Sequence, residues 1–381
     1  MRDKAASLKV LHLHSTFNPG GKELRCVRLM NAFGPGLFHA IVSAETRAMG
    51  AAQYISPEVT VGYPGLFPSL TGLPTPWRLQ RLAEAMREFD LVLTYNWGAM
   101  DAVMAHTMFA KAFSLPPLVH HEDGFNADEA NGLKSSRNWY RRLALGRADA
   151  LVVPSRTLER IAQEVWLQPG EKVRRIANGI DTTAFAKVPR NDVLPRLIKR
   201  EGEAWVGTLA GLRKVKNLPR LVRAFASLPE HWQLVIVGEG LERETIRREA
   251  MALGIVHRVH LPGFAAASKV VGLFDIFALS SDSEQFPLSV VEAMAAGLPV
   301  AAPAVGDVAS IVAEANRPFV VAPGDEMALT KAIARLAEDA DLRRAVGNAN
   351  RRRASQHYDE ARMVAAYRRL YAEVLGRPSF P

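Results

Sequence analysis

Residues 280–300 read SSDSEQFPLSVVEAMAAGLPV, and the apolar run Ile276–Leu279 stands directly before them. A short apolar run of this kind reads as a buried strand. Pro287 suits the first turn of a helix, where its missing N–H is no loss. Gly297 then stops that helix with its freedom at positive φ, and Pro299–Ala302 reads as the next strand. This strand, turn, helix and strand make the repeating unit of parallel α/β architecture. The order leaves Glu284 in the strand-to-helix turn and puts Glu292 about one and a half turns inside the helix.

The same alternation extends outward over nearly the whole chain. On the near side lie the runs Trp205–Leu209, Gln233–Val237 and Arg258–Leu261. Farther out are Val10–His14, Leu91–Thr94, Leu118–His120 and Leu151–Pro154, with helical patterns at Lys22–Phe33, Arg78–Phe89 and Thr157–Glu164. Periodicity weakens over Ala184–Glu203, which carries Pro189 and Pro195 among clustered charges, so the junction falls there. The reading is an α/β protein with two doubly wound, Rossmann-like domains, 1–185 and 186–355, facing a cleft. A closing helix within 356–381 returns to the first domain. Ligands of such sheets bind beyond the carboxyl ends of the strands.

With 381 residues the chain exceeds one ordinary core. Its 48% hydrophobic and 23% charged residues are those of a globular protein. Cys26 is the single cysteine, which excludes an intrachain disulfide and zinc sites built from several cysteines. Arg2 and Lys4 precede an apolar stretch broken by Lys9 and His12, which reads as a first strand and not as a signal peptide. No apolar run is long enough to span a bilayer. The expected location is the cytoplasm. Of the net charge of +9, residues 1–190 hold the larger part, with 23 Lys and Arg against 17 Asp and Glu. Lys134, Arg137, Trp139, Tyr140, Arg141, Arg142 and Arg147 mix basic and aromatic residues on one expected helix. Such a helix can rest on an anionic membrane surface or pack on its own domain. The basic residues fit no nucleic-acid-binding module.

The chemistry gathers at the quoted segment. Free N–H groups near Leu288 and Ser289 open at the helix start, where donors and dipole favour a phosphate. Glu284 and Glu292 flank that position, and each carboxylate can accept hydrogen bonds from hydroxyl-rich groups. The pair, followed by Ala293-Met294-Ala295-Ala296-Gly297-Leu298-Pro299-Val300, resembles the signature of the retaining glycosyltransferase family four, which has the GT-B fold. Further stretches are similar to that family in the same order. They are Asn178-Gly179-Ile180-Asp181 with Phe185, His231 through Gly240, Val259 through Phe264, and Met363 to Tyr367 with Tyr371. The likeness is weakest over 44–117.

The resemblance implies a nucleotide-sugar donor, UDP- or GDP-linked, with Glu284 at the sugar hydroxyls and Glu292 at the ribose. Phe286, Leu288, Ser289, Gly238 and Phe264 would complete the donor side. Family members usually have Gly where Gln285 stands. They also carry an Arg five residues before the Lys that matches Lys216; that position is Gly211 here, and Arg213 can serve the same diphosphate from a shifted place. Cations there stabilise charge growing on the leaving group. Gly20 and Gly21 match the family's glycine loop and are expected at the diphosphate or acceptor; His120, ahead of His121, stands where a His is common and is expected to make acceptor-side polar contacts. His120-His121-Glu122-Asp123 are too crowded in sequence to face one ion. No Asp-x-Asp ends a strand; Asp339-Ala340-Asp341 reads as a helix start. No cofactor and no metal is therefore expected.

The reaction implied is transfer with retention to a hydroxyl acceptor, which a lipid-linked saccharide of an envelope polysaccharide would suit. The leaving phosphate oxygen would collect the acceptor proton. A nucleotide-sugar epimerase or glycogen-type synthase would share the fold. A non-catalytic sugar-nucleotide or membrane-surface binding protein is the reading of another class. Retention of Glu284, Glu292 and Lys216 together speaks against it, and Gly211 speaks for it.

Overall fold

The computed structural model describes residues 7–125, 129 and 132–381; Arg2 and Lys4 lie outside the described residues. The chain divides into two compact units, Met1–Ala177 with Met363–Pro381, and Asn178–Arg362.

The first unit is built on seven strands: β1 Leu8–His14, β2 Leu37–Ser43, β3 Thr60–Gly62, β4 Leu91–Tyr95, β5 Leu118–His121, β6 Ala150–Val153 and β7 Val173–Arg175. They pair in the order β3-β2-β1-β4-β5-β6-β7, parallel throughout. Between them run α1 Gly21–Phe33, α2 Pro76–Met86, α3 Met100–Phe113, α4 Ser135–Ala144 and α5 Arg156–Glu164. Alternation along β1 sends Val10 to one face and Leu11 to the other. Val10 joins Val27 and Met30 of α1, together with Met363, Tyr367 and Tyr371. Leu11 joins Leu79 and Leu82 of α2 and Val103 of α3. Both faces of the sheet are therefore covered, as parallel strands require.

The second unit holds β8 Ala204–Leu209, β9 Trp232–Val237, β10 Val259–Gly263, β11 Ile276–Ala278, β12 Val300–Pro303 and β13 Val320–Val321, in the order β10-β9-β8-β11-β12-β13. Its helices are α6 Thr182–Phe185, α7 Leu218–Phe225, α8 Arg243–Ala252, α9 Ala267–Val270, α10 Leu288–Ala295, α11 Val308–Ile311, α12 Glu326–Glu338 and α13 Ala340–His357; α14 Glu360–Val374 follows. Asp339 caps α13 by accepting from the Leu342 N–H at 2.9 Å, the helix start that its sequence suggests.

Both sheets reverse direction after their third strand. The switch points lie between β1 and β4 and between β8 and β11, where diverging crossovers leave a crevice beyond the strand ends. Pro287 differs from expectation: it is the N-cap of α10, with φ −70° and ψ 103°, and the first helical residue is Leu288. Gly297 has φ +80°, as the helix stop requires.

Candidate functional site

In the second unit the ends of β8 and β11 bring Lys216 and Glu284 together, with Nζ to Oε1 at 2.5 Å. The loops that carry them are tied at several points. Ser280 Oγ donates to the Lys216 carbonyl at 2.9 Å, and the Asp282 N–H donates to the Val215 carbonyl at 2.9 Å. The Asn217 amide donates to both oxygens of Asp282, which also pairs with Arg220 at 2.8 Å. Asn217 sits at φ +43°, a conformation that Asn tolerates better than most residues. Ser281, 1% exposed, donates to the same Glu284 oxygen that meets Lys216, at 2.7 Å. A cation and a carboxylate are thus held at the switch point, where a ligand of this sheet is expected.

Close backbone packing sets the loop positions. A Cβ on Gly306, at φ +54°, would stand 2.4 Å from the Glu284 carbonyl and 2.6 Å from that of Gln285. Gly238, at φ +144°, admits the Ala210 carbonyl to where a Cβ would lie, 1.9 Å away. The missing side chain lets the Leu209–Arg213 loop approach the end of β9. Arg213 is exposed, and its Nε lies 3.6 Å from the place a Cβ of Gly211 would occupy. The arginine therefore covers the position left empty by glycine.

Glu292 lies part-buried on α10, and Leu288 and Ser289 form its first turn. Phe286 packs edge-on against Tyr358 with ring centres 5.7 Å apart. Phe264 follows β10 and is 74% exposed.

In the first unit Gly20 is the N-cap of α1 and Gly21 its first residue. A Cβ on Gly20 would lie 2.6 Å from Glu23 Oε2, while Gly21 is exposed. Beside it Asn18, Glu45, Thr46, Arg47 and Ala48 line a shallow cavity of about 450 Å³. His120, expected to make acceptor-side contacts, is enclosed in the first unit. It is 0% exposed; Nδ1 lies 2.8 Å from Thr94 Oγ1, and Nε2 lies 3.8 Å from Glu122. His121, on the opposite face of β5, reaches the Tyr371 hydroxyl at 3.1 Å and is 1% exposed. Strand alternation sends the two rings into the two cores.

The basic and aromatic helix is also turned inward. Arg141 is fully buried between Glu122 and Glu129, and its guanidinium stacks about 5 Å from Trp97, Phe125 and Trp166. Tyr140 donates to Asp101 at 2.7 Å and Arg137 pairs with Glu129 at 3.0 Å. Trp139 and Leu143 are 61% and 57% exposed, with Arg142 stacked on Trp139. Among the described residues no helix is long and apolar enough to cross a membrane. Ser281, Asp282 and Gly306 were not singled out from the sequence, which offered only common turn residues at those positions.

Comparison with known proteins places this geometry. The profile described as Glycosyl transferases group 1 matches residues 190–353, and that described as Glycosyltransferase Family 4 matches residues 19–184. The GDP-mannose-dependent alpha-mannosyltransferase of Mycolicibacterium smegmatis is 29% identical over 300 residues, 75% of each chain. The lipopolysaccharide core biosynthesis glycosyltransferase LpsD of Rhizobium meliloti is 25% identical over 374 residues, 96% of this chain and 98% of that one. The crystal structure of Anabaena HepE in complex with UDP superposes with a TM-score of 0.81 at 21% identity, covering 96% of this chain and 100% of HepE. Two profiles of one enzyme group follow each other along the chain, on the sheets that the GT-B fold requires, and the protein belongs to the group 1 glycosyltransferases of family four.

Proposed function

We propose that this glycosyltransferase moves a hexose from an NDP-sugar to a hydroxyl acceptor, with retention of configuration and without a metal ion. The observation that carries the proposal is the Lys216–Glu284 contact at the β8/β11 switch point. Glu284 is suited to accept hydrogen bonds from sugar hydroxyls. Lys216 and Arg213 are suited to the diphosphate, with the α10 N–H groups at Leu288 and Ser289 as neutral donors. Glu292 is assigned to the ribose. As the glycosidic bond to the diphosphate breaks, negative charge grows on the leaving oxygen. Fixed cations there stabilise the transition state more than the bound donor. That same oxygen takes the acceptor proton as the new bond forms.

The acceptor we favour is a lipid-linked saccharide in envelope polysaccharide assembly. LpsD, similar over 96% of this chain, is named for lipopolysaccharide core biosynthesis. We place the enzyme in the cytoplasm, peripheral to the inner face of the plasma membrane. Exposed Trp139 and Leu143 beside Arg142 form the portion of α4 suited to that contact.

Calorimetric titration with UDP and with GDP, each in the presence of a chelator, tests the donor site. One nucleotide should bind wild type and bind Glu292→Ala at least tenfold more weakly. If neither binds the folded wild type, the donor assignment fails. NMR of the transferred sugar tests retention, since an inverted anomer would refute the proposed course.

A further inference from the structure

A second cluster lies inside the first unit, apart from the donor chemistry. His12 and His14 point to the same face of β1, toward α1, which supplies Cys26 and Met30 one turn apart. All four are buried, at 3%, 0%, 1% and 0% exposure. His12 Nδ1 stands 3.3 Å from Cys26 Sγ, and Met30 Sδ lies 3.9 Å from the same sulfur. On its other side His12 Nε2 meets His39 Nδ1 at 2.9 Å. Donor atoms of His12, His14 and Cys26 all lie within 4.8 Å of one another.

His14 is the telling member. Neither of its ring nitrogens has a hydrogen-bond partner among the described residues, although the side chain is fully buried. Tyr95 stacks on its face at 4.0 Å between ring centres and offers it no hydrogen bond. An unpartnered buried imidazole is costly, and here it sits beside a thiol and a second imidazole.

We propose that His12, His14 and Cys26 bind one copper ion, held as copper(I), with Met30 as a weak fourth donor. Two imidazoles, a thiolate and a thioether are the donor set that suits copper. Charge separates copper(I) from zinc(II). One thiolate neutralises copper(I) but leaves zinc(II) with a net positive charge in a buried pocket, which is expensive. Donors about 2.0–2.3 Å from an ion stand roughly 3.3–3.7 Å apart. His12 and Cys26 already meet that spacing, and His14 needs to close by about an ångström.

On binding, the Cys26 S–H bond breaks and an S–Cu bond forms, with the proton released to solvent. His12 Nδ1 gives its lone pair to the ion in place of the contacts it shares with the Cys26 sulfur and the Tyr95 hydroxyl, 3.2 Å away. Its Nε2–H keeps the bond to His39 that orients the ring. The ion would join β1 to α1.

The full chain, purified anaerobically, is titrated with copper(I) against the chromogenic chelator bathocuproine disulfonate, and separately with zinc(II) against a zinc indicator. We expect one equivalent of copper(I) retained, zinc(II) held at least a hundredfold less tightly, and sulfur and nitrogen neighbours by X-ray absorption. Cys26→Ser and His14→Phe should each weaken copper retention at least tenfold, while His106→Asn, a buried histidine outside the cluster, retains it. His14→Phe removes both unpartnered nitrogens, so without copper it should melt no lower than wild type, which separates lost ligation from lost folding. Folded wild type that takes up no copper(I), or Cys26→Ser that retains it unchanged, overturns the proposal. Preference for zinc(II) overturns the assignment of the ion.

Discussion

Lys216 and Glu284 share one contact at 2.5 Å, so a phosphate that engages Lys216 leaves the carboxylate to other donors. Ser281 already supplies one of these, and sugar hydroxyls would supply the rest. If Lys216 acts chiefly on the leaving diphosphate, Lys216→Met should lower kcat about 10²–10³-fold with a smaller change in donor KM. Steady-state kinetics in which KM alone rises would show that Lys216 serves binding only. Arg213 offers a second check. Arg213→Ala should weaken nucleotide-diphosphate affinity about tenfold or more, the worth of one hydrogen bond between charged groups. Adding Gly211→Arg to that variant should restore affinity; a titration in which Arg213→Ala binds like wild type would remove Arg213 from the site. Lys216 and Glu284 were legible in the sequence because charged residues there belong to a distinctive ordered pattern. Ser281 and Asp282 were not, because turns carry Ser and Asp for local reasons of their own. His120 was legible as a strand-end residue, but its ring direction depends on strand register, and the ring is enclosed.

At the scale of elements, the donor-side loops rest on glycines that let backbone meet backbone. Gly238 combines φ +144° with a Cβ position 1.9 Å from the Ala210 carbonyl. Gly238→Ala must strain that residue by about 1–3 kcal/mol and push the Leu209–Arg213 loop away. The expected result is a lower melting transition of the second unit and weaker nucleotide binding together. A variant with wild-type melting and binding would refute this account of the turn. The long periodic elements were readable: β8 and β9 begin and end within a residue of their apolar runs. Two of the edge strands were not, since Thr60–Gly62 and Val320–Val321 are too short to show a period. Helix α4 shows a different limit. Its basic and aromatic residues suggested a surface stripe, yet Arg141 is buried because Glu122 and Glu129 come to it from an earlier segment. A partner so far from the helix in sequence leaves no local signal.

At the scale of the whole molecule, the two units share a sheet order but not a response to acid. In the first unit His12, His14 and His121 are held well below the usual histidine range, mainly by burial. Burial also pushes His39 down to about 4 and lowers His106. In the second unit the lowered histidines are His260, part-buried, and His357, exposed. A histidine that stays neutral when folded but has a pKa near 6.5 when unfolded favours the neutral-pH fold. As pH falls below about 6.5 the unfolded chain binds the extra protons, and stability declines by up to about 1.4 kcal/mol per pH unit for each such group. Several such groups act in the same direction in the first unit, and His39 stops contributing near 4. Against domain stabilities of about 5–15 kcal/mol, a few such groups are a large fraction of the total. Hydrogen exchange corrected for intrinsic rates, compared at pH 7 and pH 5, should therefore show β1, β2 and β5 losing protection while β8 and β9 retain theirs. His14→Phe removes one of the five groups and should move the loss to lower pH. If β8 and β9 opened first, or both sheets opened together, the buried histidines would not be what sets the acid limit of this fold.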